Sequence, residues 1–254
     1  MNIDAIKYIK FLEYFVINKW NCPSQLGQDL LALYFSGGIK NGFFIEIGAC
    51  DGIKFSNSLK LEKYGWNGII SEPSPYWIKK IKNRKCLIST KAVFSESNVK
   101  LDFSSIEDFP DLSGIKNNFE KDNNAELRKK SKMTKVETIT LNNLIEQNAP
   151  NTKINYISID TEGSEYEIIK KFDFEKYNVD IFTIEHNFLE KKRNAIFDLM
   201  KKNHYLRVFQ NLSQWDDWYI KKDNKILQEM LRDKYPNVKL RTHHVKYSPS
   251  YRGK

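Results

Sequence analysis

Cysteine is scarce: three stand at 22, 50 and 86, with no Cys-x-x-Cys pair and no Cys/His spacing suited to zinc. An odd number so widely spaced reads as reduced thiols and predicts a cytoplasmic protein. Arginine is scarce too. Seven of the 41 basic residues are Arg (84, 128, 193, 207, 232, 241 and 252), and the rest are Lys. Arg is the residue that reads bases and grips phosphates bidentately. The net charge of +9 therefore favours anionic partners only weakly, and no specific nucleic acid is predicted. Long apolar runs are missing. An uncharged stretch such as Leu30 to Ile39 falls far short of the roughly 18 residues a membrane helix needs, so no transmembrane segment is predicted. Asp4 and Lys7 break up the N-terminus where a secretory signal would be uncharged. Internal repeats and low-complexity segments are absent as well.

What is there suffices for a large α/β domain: 254 residues, 41% hydrophobic and 13% aromatic. Apolar residues recur at mostly helical spacing over 3–20, and Ser24 is a candidate N-cap for a second helix that Gly37-Gly38 ends. Then strands alternate with helices. Strands are expected at 43–48, 68–72, 87–94, 154–160, 180–185, 205–209 and 218–221. Helices are expected at 56–64, 76–82, 141–147 (capped by Thr140), 164–172, 189–202 and 225–233. This alternation predicts a parallel sheet with crossover helices on both faces. Residues 99–136, rich in Asn, Ser, Lys, Asp and Glu, read as an insertion forming a lid or substrate loop. The expected organisation is an N-terminal helical segment (1–40), an α/β domain (41–222) and a C-terminal helix with a basic tail (223–254).

Open parallel sheets bind ligands beyond the carboxyl ends of their strands. The first strand runs into Glu46-Ile47-Gly48-Ala49-Cys50-Asp51-Gly52. Its glycines allow a tight turn and close backbone approach to a ligand. The spacing is wrong for the Gly-x-Gly-x-x-Gly of a dinucleotide site, and Asp51 would repel phosphate. The loop suits a cationic, phosphate-free nucleoside such as S-adenosyl-L-methionine. Glu46 is free to take hydrogen bonds from an amine or from the loop itself. Glu72 ends the second strand, where an acid takes both ribose hydroxyls. The fourth strand ends in Asp160-Thr161-Glu162-Gly163-Ser164-Glu165, and the fifth in Glu185-His186-Asn187. Glu162 and Glu165 suit a helix N-terminus; Asp160, directly after an apolar strand, has no such reason to be there. Asp160, Glu185 and His186 point to general-base catalysis or to a divalent metal site.

Taken together, Ser24-Gln25-x-Gly27-Gln28-Asp29, Phe44 to Gly52, Glu72-Pro73, Ile159-Asp160-Thr161-Glu162-Gly163-x-Glu165 and Ile184-Glu185-His186-Asn187 resemble the FkbM family of S-adenosylmethionine-dependent methyltransferases. The resemblance spans roughly 24–220. It implies a Rossmann-like class I methyltransferase fold, with a mostly parallel seven-stranded sheet and one antiparallel strand inserted by the last hairpin. It implies O-methylation, often of a sugar. By position, Glu46, Gly48, Asp51, Gly52 and Asn57 would line the methionine side of the cofactor. Glu72 would hold the ribose, Ala92 and Val93 would border the adenine, and Gln25 would close over the site.

An alcohol is a poor nucleophile and needs a base or a metal. The expectation is that His186 acts as base with Asp160 and Glu185 orienting it, or that the three hold a divalent ion. Glu162, Asn187, Asp216, Asp217 and Arg241 are candidate acceptor contacts. The basic tail (Arg241, His243, His244, Lys246, Arg252) suggests a phosphate-bearing acceptor, such as a nucleotide-linked sugar or an anionic surface-glycan precursor. A homo-oligomer is left open. The rival readings are a nucleic-acid methyltransferase and a non-catalytic S-adenosylmethionine-binding module, with a dehydrogenase the weakest.

Overall fold

The structure, a computed structural model, describes residues 5–106, 108–115 and 131–232. Helices α1 (Ala5–Lys19) and α2 (Gln28–Phe35) precede β1 (Phe43–Ile47). Next come α3 (Leu59–Tyr64), β2 (Asn67–Ser71), α4 (Pro75–Ile78), β3 (Leu87–Ser89) and β4 (Ala92–Val93). The chain continues through β5 (Lys100–Ser105), β6 (Gly114–Ile115), β7 (Lys132–Ile139), α5 (Leu141–Asn148) and β8 (Tyr156–Ile159). It closes with α6 (Glu165–Ile169), β9 (Ile181–Glu185), α7 (Glu190–Lys202), β10 (Tyr205–Val208), α8 (Gln210–Ser213), β11 (Asp216–Lys221) and α9 (Lys225–Arg232).

Seven strands form one sheet in the order β3-β2-β1-β8-β9-β11-β10. β11 lies antiparallel between β9 and β10, and the remaining pairs are parallel. Strand order reverses between β1 and β8, which opens the crevice where such sheets bind ligands. The sheet is buried on both faces, because successive side chains alternate across a strand. On β1, Phe44 packs with Phe11, Leu30 and Leu31 of the N-terminal helices, while Ile45 and Ile47 join Leu144, Ile168 and Ile196 on the other face.

The N-terminal segment shares this core. Phe11 and Phe15 of α1 are buried, and Phe11 stacks on Phe209 at 4.3 Å. Its outer face carries Val16, Ile17 and Trp20, all exposed. The helix expected over 3–20 is found, but Ser24 is not its successor's cap. Gly27, at φ 89°, occupies that position, and α2 starts at Gln28. The Ser24 hydroxyl instead accepts from Gly27 N–H and donates to Asp29 Oδ1. Thr140 does cap α5, accepting from Asn143 N–H.

Two further elements differ from expectation. The strand expected over 87–94 is split, because pairing with β2 ends at Ser89 and the chain then turns to pair β4 with β7. The basic helix expected over 76–82 is only the short α4 followed by a 3-10 turn, Ile81–Asn83. The insertion builds a second sheet in the order β4-β7-β5-β6, closed around Ala92, Phe103, Ile115 and Val136. Residues 116–130 and the tail from 233, with Arg241, His243, His244, Lys246 and Arg252, lie outside the described residues. Among the described residues no helix is long and apolar enough to cross a membrane.

Candidate active site

The carboxyl ends of β1, β2, β8 and β9 open into a cavity of about 1320 Å³. Its first wall is the turn after β1. Gly48 sits at φ +85°, and a Cβ there would come 1.6 Å from the Asp160 carbonyl oxygen. Only glycine lets the β1 and β8 ends meet this closely. Gly48 and Ala49 N–H both donate to Ser71 O, which ties the turn to β2.

Glu46 does not reach the cavity. It lies on the Phe44 face of β1, buried, where it accepts from the Ser56 and Ser58 hydroxyls and from Asn57 N–H. The Arg84 guanidinium stands 3.7 Å away. Burial raises the carboxyl's pKa, with Arg84 and the hydroxyl and N–H donors acting against it. Of the two roles open to Glu46, organising the loop is the one this geometry supports. Asp51 and Gly52 also shape the loop from behind. Asp51 Oδ1 accepts from Ile53 and Lys54 N–H, and Gly52 O accepts from Arg84. Neither lines the cavity.

The remaining expected cofactor residues do line it: Gln25, Gly48, Asn57, Glu72, Ala92 and Val93. Glu72 is 4% exposed and accepts from Cys50 N–H (2.9 Å) and Ser74 N–H (2.8 Å) through different oxygens. Each oxygen keeps a lone pair for a diol. Burial pushes its pKa up to about 7 against those two bonds, with the Asp160 charge adding to the rise. Asn57 donates to Ser158 Oγ and leaves its own Oδ1 without a partner.

The opposite wall is acidic. Asp160, Glu162 and Glu185 each bring a carboxylate oxygen within 4.8 Å of the others. The pairing of Ile159 with Ile184 puts the ends of β8 and β9 side by side. Asp160 is partly open to the cavity, yet desolvation pushes its pKa up to about 7; a hydrogen bond with Glu185 works against this and the Glu165 charge with it. Glu185 is 4% exposed and lifted well above the usual carboxylate range, first by burial and then by the Asp160 and Glu162 charges.

Glu165 builds this wall without lining it, a role the sequence reading missed. One of its oxygens accepts from Thr161 N–H, Thr161 hydroxyl and Gly163 N–H; the other accepts from buried Lys192 at 2.9 Å. Burial would raise its pKa, but Lys192 and the Gly163 N–H outweigh that and hold it low. Glu162 sits at φ 56° inside the turn so fastened. Lys192 lies in the charged run Glu190-Lys191-Lys192-Arg193, so the sequence carried no local signal that it is buried against Glu165.

His186, expected as base or ligand, is buried and is not among the residues that line the cavity. Its Nδ1 accepts from Phe188 N–H, and its Nε2 faces Asp217 at 3.8 Å. Burial lowers its pKa to about 4, with the Asp217 charge opposing. Asp216 and Asp217 are also displaced from the acceptor site. Asp216 accepts from Gln28 inside the core, and Asp217 is bound by Arg193, Arg207 and Tyr219. Strand β11 begins at Asp216, two residues earlier than expected, so both acids point into the fold. Asn187 and Glu162 do line the cavity, with Asn187 Nδ2 reaching Glu162 at 3.5 Å.

Aromatic rings at the mouth were not foreseen as a group. Phe55, Trp77, Phe109, Phe188 and Trp215 all line it. The insertion supplies Phe103 and 109–113, and Trp77 Nε1 donates to Pro110 O to hold that turn against α4. Among the described lining residues Lys54 is the basic side chain, against the acids Glu72, Asp111, Asp160, Glu162 and Glu185, and its ammonium lies 4.6 Å from the centre of the Phe55 ring.

Residues 46–221 match the family described as Methyltransferase FkbM domain. No curated protein sequence matches the chain. Among solved structures it is similar to a precorrin-6y C5,15-methyltransferase from Geobacter metallireducens, at 9% identity and TM-score 0.39 over 76% of this chain and 85% of that one. It is also similar to a Staphylococcus aureus protein assigned as a caffeoyl-CoA O-methyltransferase, at 16% and 0.41 over 86% and 92%. A Pyrococcus horikoshii protein assigned as an RNA methyltransferase gives 12% and 0.41 over 85% and 98%. The strand order, rather than these distant likenesses, carries the fold.

Proposed function

The chain belongs to the FkbM methyltransferase family, and from that premise we propose that it methylates a hydroxyl of a sugar with S-adenosyl-L-methionine as donor. The observation that carries this reading is the division of one cavity into two walls, a phosphate-free nucleoside wall and a carboxylate wall. The residues fit the donor. Glu72 has lone pairs for the ribose, Ala92 and Val93 give an apolar adenine border, and the orphaned Asn57 Oδ1 is an acceptor for the methionine ammonium. When bound, the donor supplies an electrophilic methyl: the acceptor oxygen's C–O bond forms as the C–S bond breaks, and the electron pair stays on sulfur.

The chain's own residues must align the hydroxyl and take its proton. Asp160 takes over the part expected of His186. It faces the cavity, and a group titrating near 7 is matched to proton transfer at neutral pH. Glu185 and Asn187 stand beside it to orient the sugar, and Phe188 and Trp215 offer rings for its apolar face. The acceptor is a surface-glycan precursor or a nucleotide-linked sugar. With five carboxylates to one lysine, the described lining suits a neutral glycan better than a diphosphate.

Calorimetric titration with S-adenosylhomocysteine tests the first wall, and transfer of isotope-labelled methyl to glycans tests the second. Micromolar binding with label on a sugar oxygen is expected. Absence of product binding by the folded protein would sink the proposal, and label found on nucleic acid would replace it with the rival class.

A further inference from the structure

Buried carboxylates normally have a counter-charge or a full set of donors. The cluster at the ends of β8 and β9 has neither in full. Asp160, Glu162 and Glu185 converge within 4.8 Å, and all three line the cavity. Independently of that clustering, Glu185 is 4% exposed and its Oε2 has no hydrogen-bond partner. A buried carboxylate oxygen left without a partner costs folding free energy unless something binds it. The buried cation of this neighbourhood, Lys192, donates to Glu165, whose other oxygen fastens the turn that carries Glu162.

We propose that Asp160, Glu162 and Glu185 form a divalent-cation site, with Glu162 in the place the sequence suggested for His186. Three carboxylates and no soft ligand select a hard ion of the magnesium or manganese class. Such ions take six oxygens in an octahedron, so about three positions remain for water or acceptor. Two adjacent hydroxyls fill two of them. The site therefore prefers acceptors with a vicinal diol, which deepens the proposed reading and rests on it for its role in transfer. A hydroxyl held on the ion is acidified. Its proton then passes to the oxygen of Asp160 that the ion leaves free as the C–O bond forms. The cation also supplies the positive charge that the acidic wall lacks, so a phosphate-bearing acceptor is admitted only when it is bound.

Manganese titration of the chelator-stripped protein, followed by the paramagnetic signal of free Mn²⁺, tests the site without reference to turnover. One saturable site per chain is expected. Glu162→Gln and Glu185→Gln should each weaken it at least tenfold, with His186→Asn leaving it unchanged. Glu162 is on a partly exposed turn, so its variant decides the matter if Glu185→Gln fails to fold. S-adenosylhomocysteine binding in EDTA, measured on every variant, reports an intact cofactor wall. No saturable Mn²⁺ site, or a site weakened by His186→Asn and untouched by Glu162→Gln, overturns the proposal. Loss of product binding with Mn²⁺ binding retained would overturn the methyl-transfer reading and leave the cation site standing.

Discussion

Glu46, behind the turn after β1, and the Asp160–Glu185 pair, on the cavity wall, differ in how completely their carboxylates are satisfied. Around Glu46 the Ser56 and Ser58 hydroxyls, Asn57 N–H and Arg84 all face one carboxylate. Around Asp160 and Glu185 carboxylates face one another, and one buried oxygen has no partner. Glu46 and Glu185 are about equally buried, at 2% and 4% exposure. Only the second has chemistry left over for a ligand. An acid at a strand end therefore marks a site when its partners are missing and it also lines a cavity, which the buried Asp216, with its own orphaned oxygen, does not.

Removing one carboxylate from each cluster sharpens this contrast most. Glu46→Ala takes the acceptor from the Ser56 and Ser58 hydroxyls and Asn57 N–H, although Arg84 keeps Glu62 at 3.2 Å, and should cost about 1–3 kcal/mol of stability for each buried donor left unsatisfied. Glu185→Gln relieves crowding and should leave the melting temperature of the metal-free protein unchanged or higher. Thermal unfolding of both in EDTA checks the pair; equal, large losses would erase the distinction. Lys192→Met should fall close behind Glu46→Ala, since it leaves Glu165 buried and unpaired. It should also reduce turnover more than product binding, because the turn bearing Asp160 and Glu162 loosens while the Glu72 wall is untouched.

A middle-sized effect separates the cofactor wall from the acidic one. In Glu72→Gln one of the two backbone donors loses its acceptor and the ribose loses an anionic partner. Affinity for S-adenosylhomocysteine should drop about tenfold, or 1.4 kcal/mol, with manganese binding unchanged. Both walls share a pH dependence. Glu72 and Asp160 titrate near 7 when folded, raised from ordinary values of 4.5 and 3.8. Between about pH 4 and 7 these two groups therefore hold more protons in the folded chain than in the unfolded one, while His186, lowered to about 4, holds fewer. Their contribution to the stability of the ligand-free protein should fall as pH rises through that window and level off above it, by about 3–4 kcal/mol per group, against a rise from His186. Melting curves at pH 5 and pH 8 read this directly, and Glu72→Gln should flatten the fall. A melting temperature that rises over the same interval would contradict the assignment.

Much of this was legible because strand ends carry motifs that local physics constrains. Gly48 had to be glycine for β1 to meet β8, and Asp160 followed an apolar strand with no structural excuse. The direction of side chains was harder to read. On β1 the period-two alternation put Glu46 on the Phe44 face, opposite Ile45 and Ile47, but its partners come from residues 56–58 and 84. Pairings that distant in the chain leave no local trace. Past β9 the backbone stops alternating altogether. Asn187 and Phe188 have φ of 50° and 58°, so the orientation of His186 follows from a left-handed turn that no strand period predicts.

That turn makes His186 the site of the smallest expected effect. Its Nδ1 accepts one backbone N–H, and its Nε2 points to Asp217, which Arg193 and Arg207 already neutralise. Asparagine can offer an oxygen to the same N–H. His186→Asn should therefore keep kcat/KM within about threefold, a change of roughly 0.7 kcal/mol, with the pH–rate profile in place. A hundredfold loss, or a shifted limb in that profile, would return the proton transfer to the imidazole. Its Nε2 has no hydrogen-bond partner, so that outcome would extend the unsatisfied, working side of the cleft to a group that does not line the cavity.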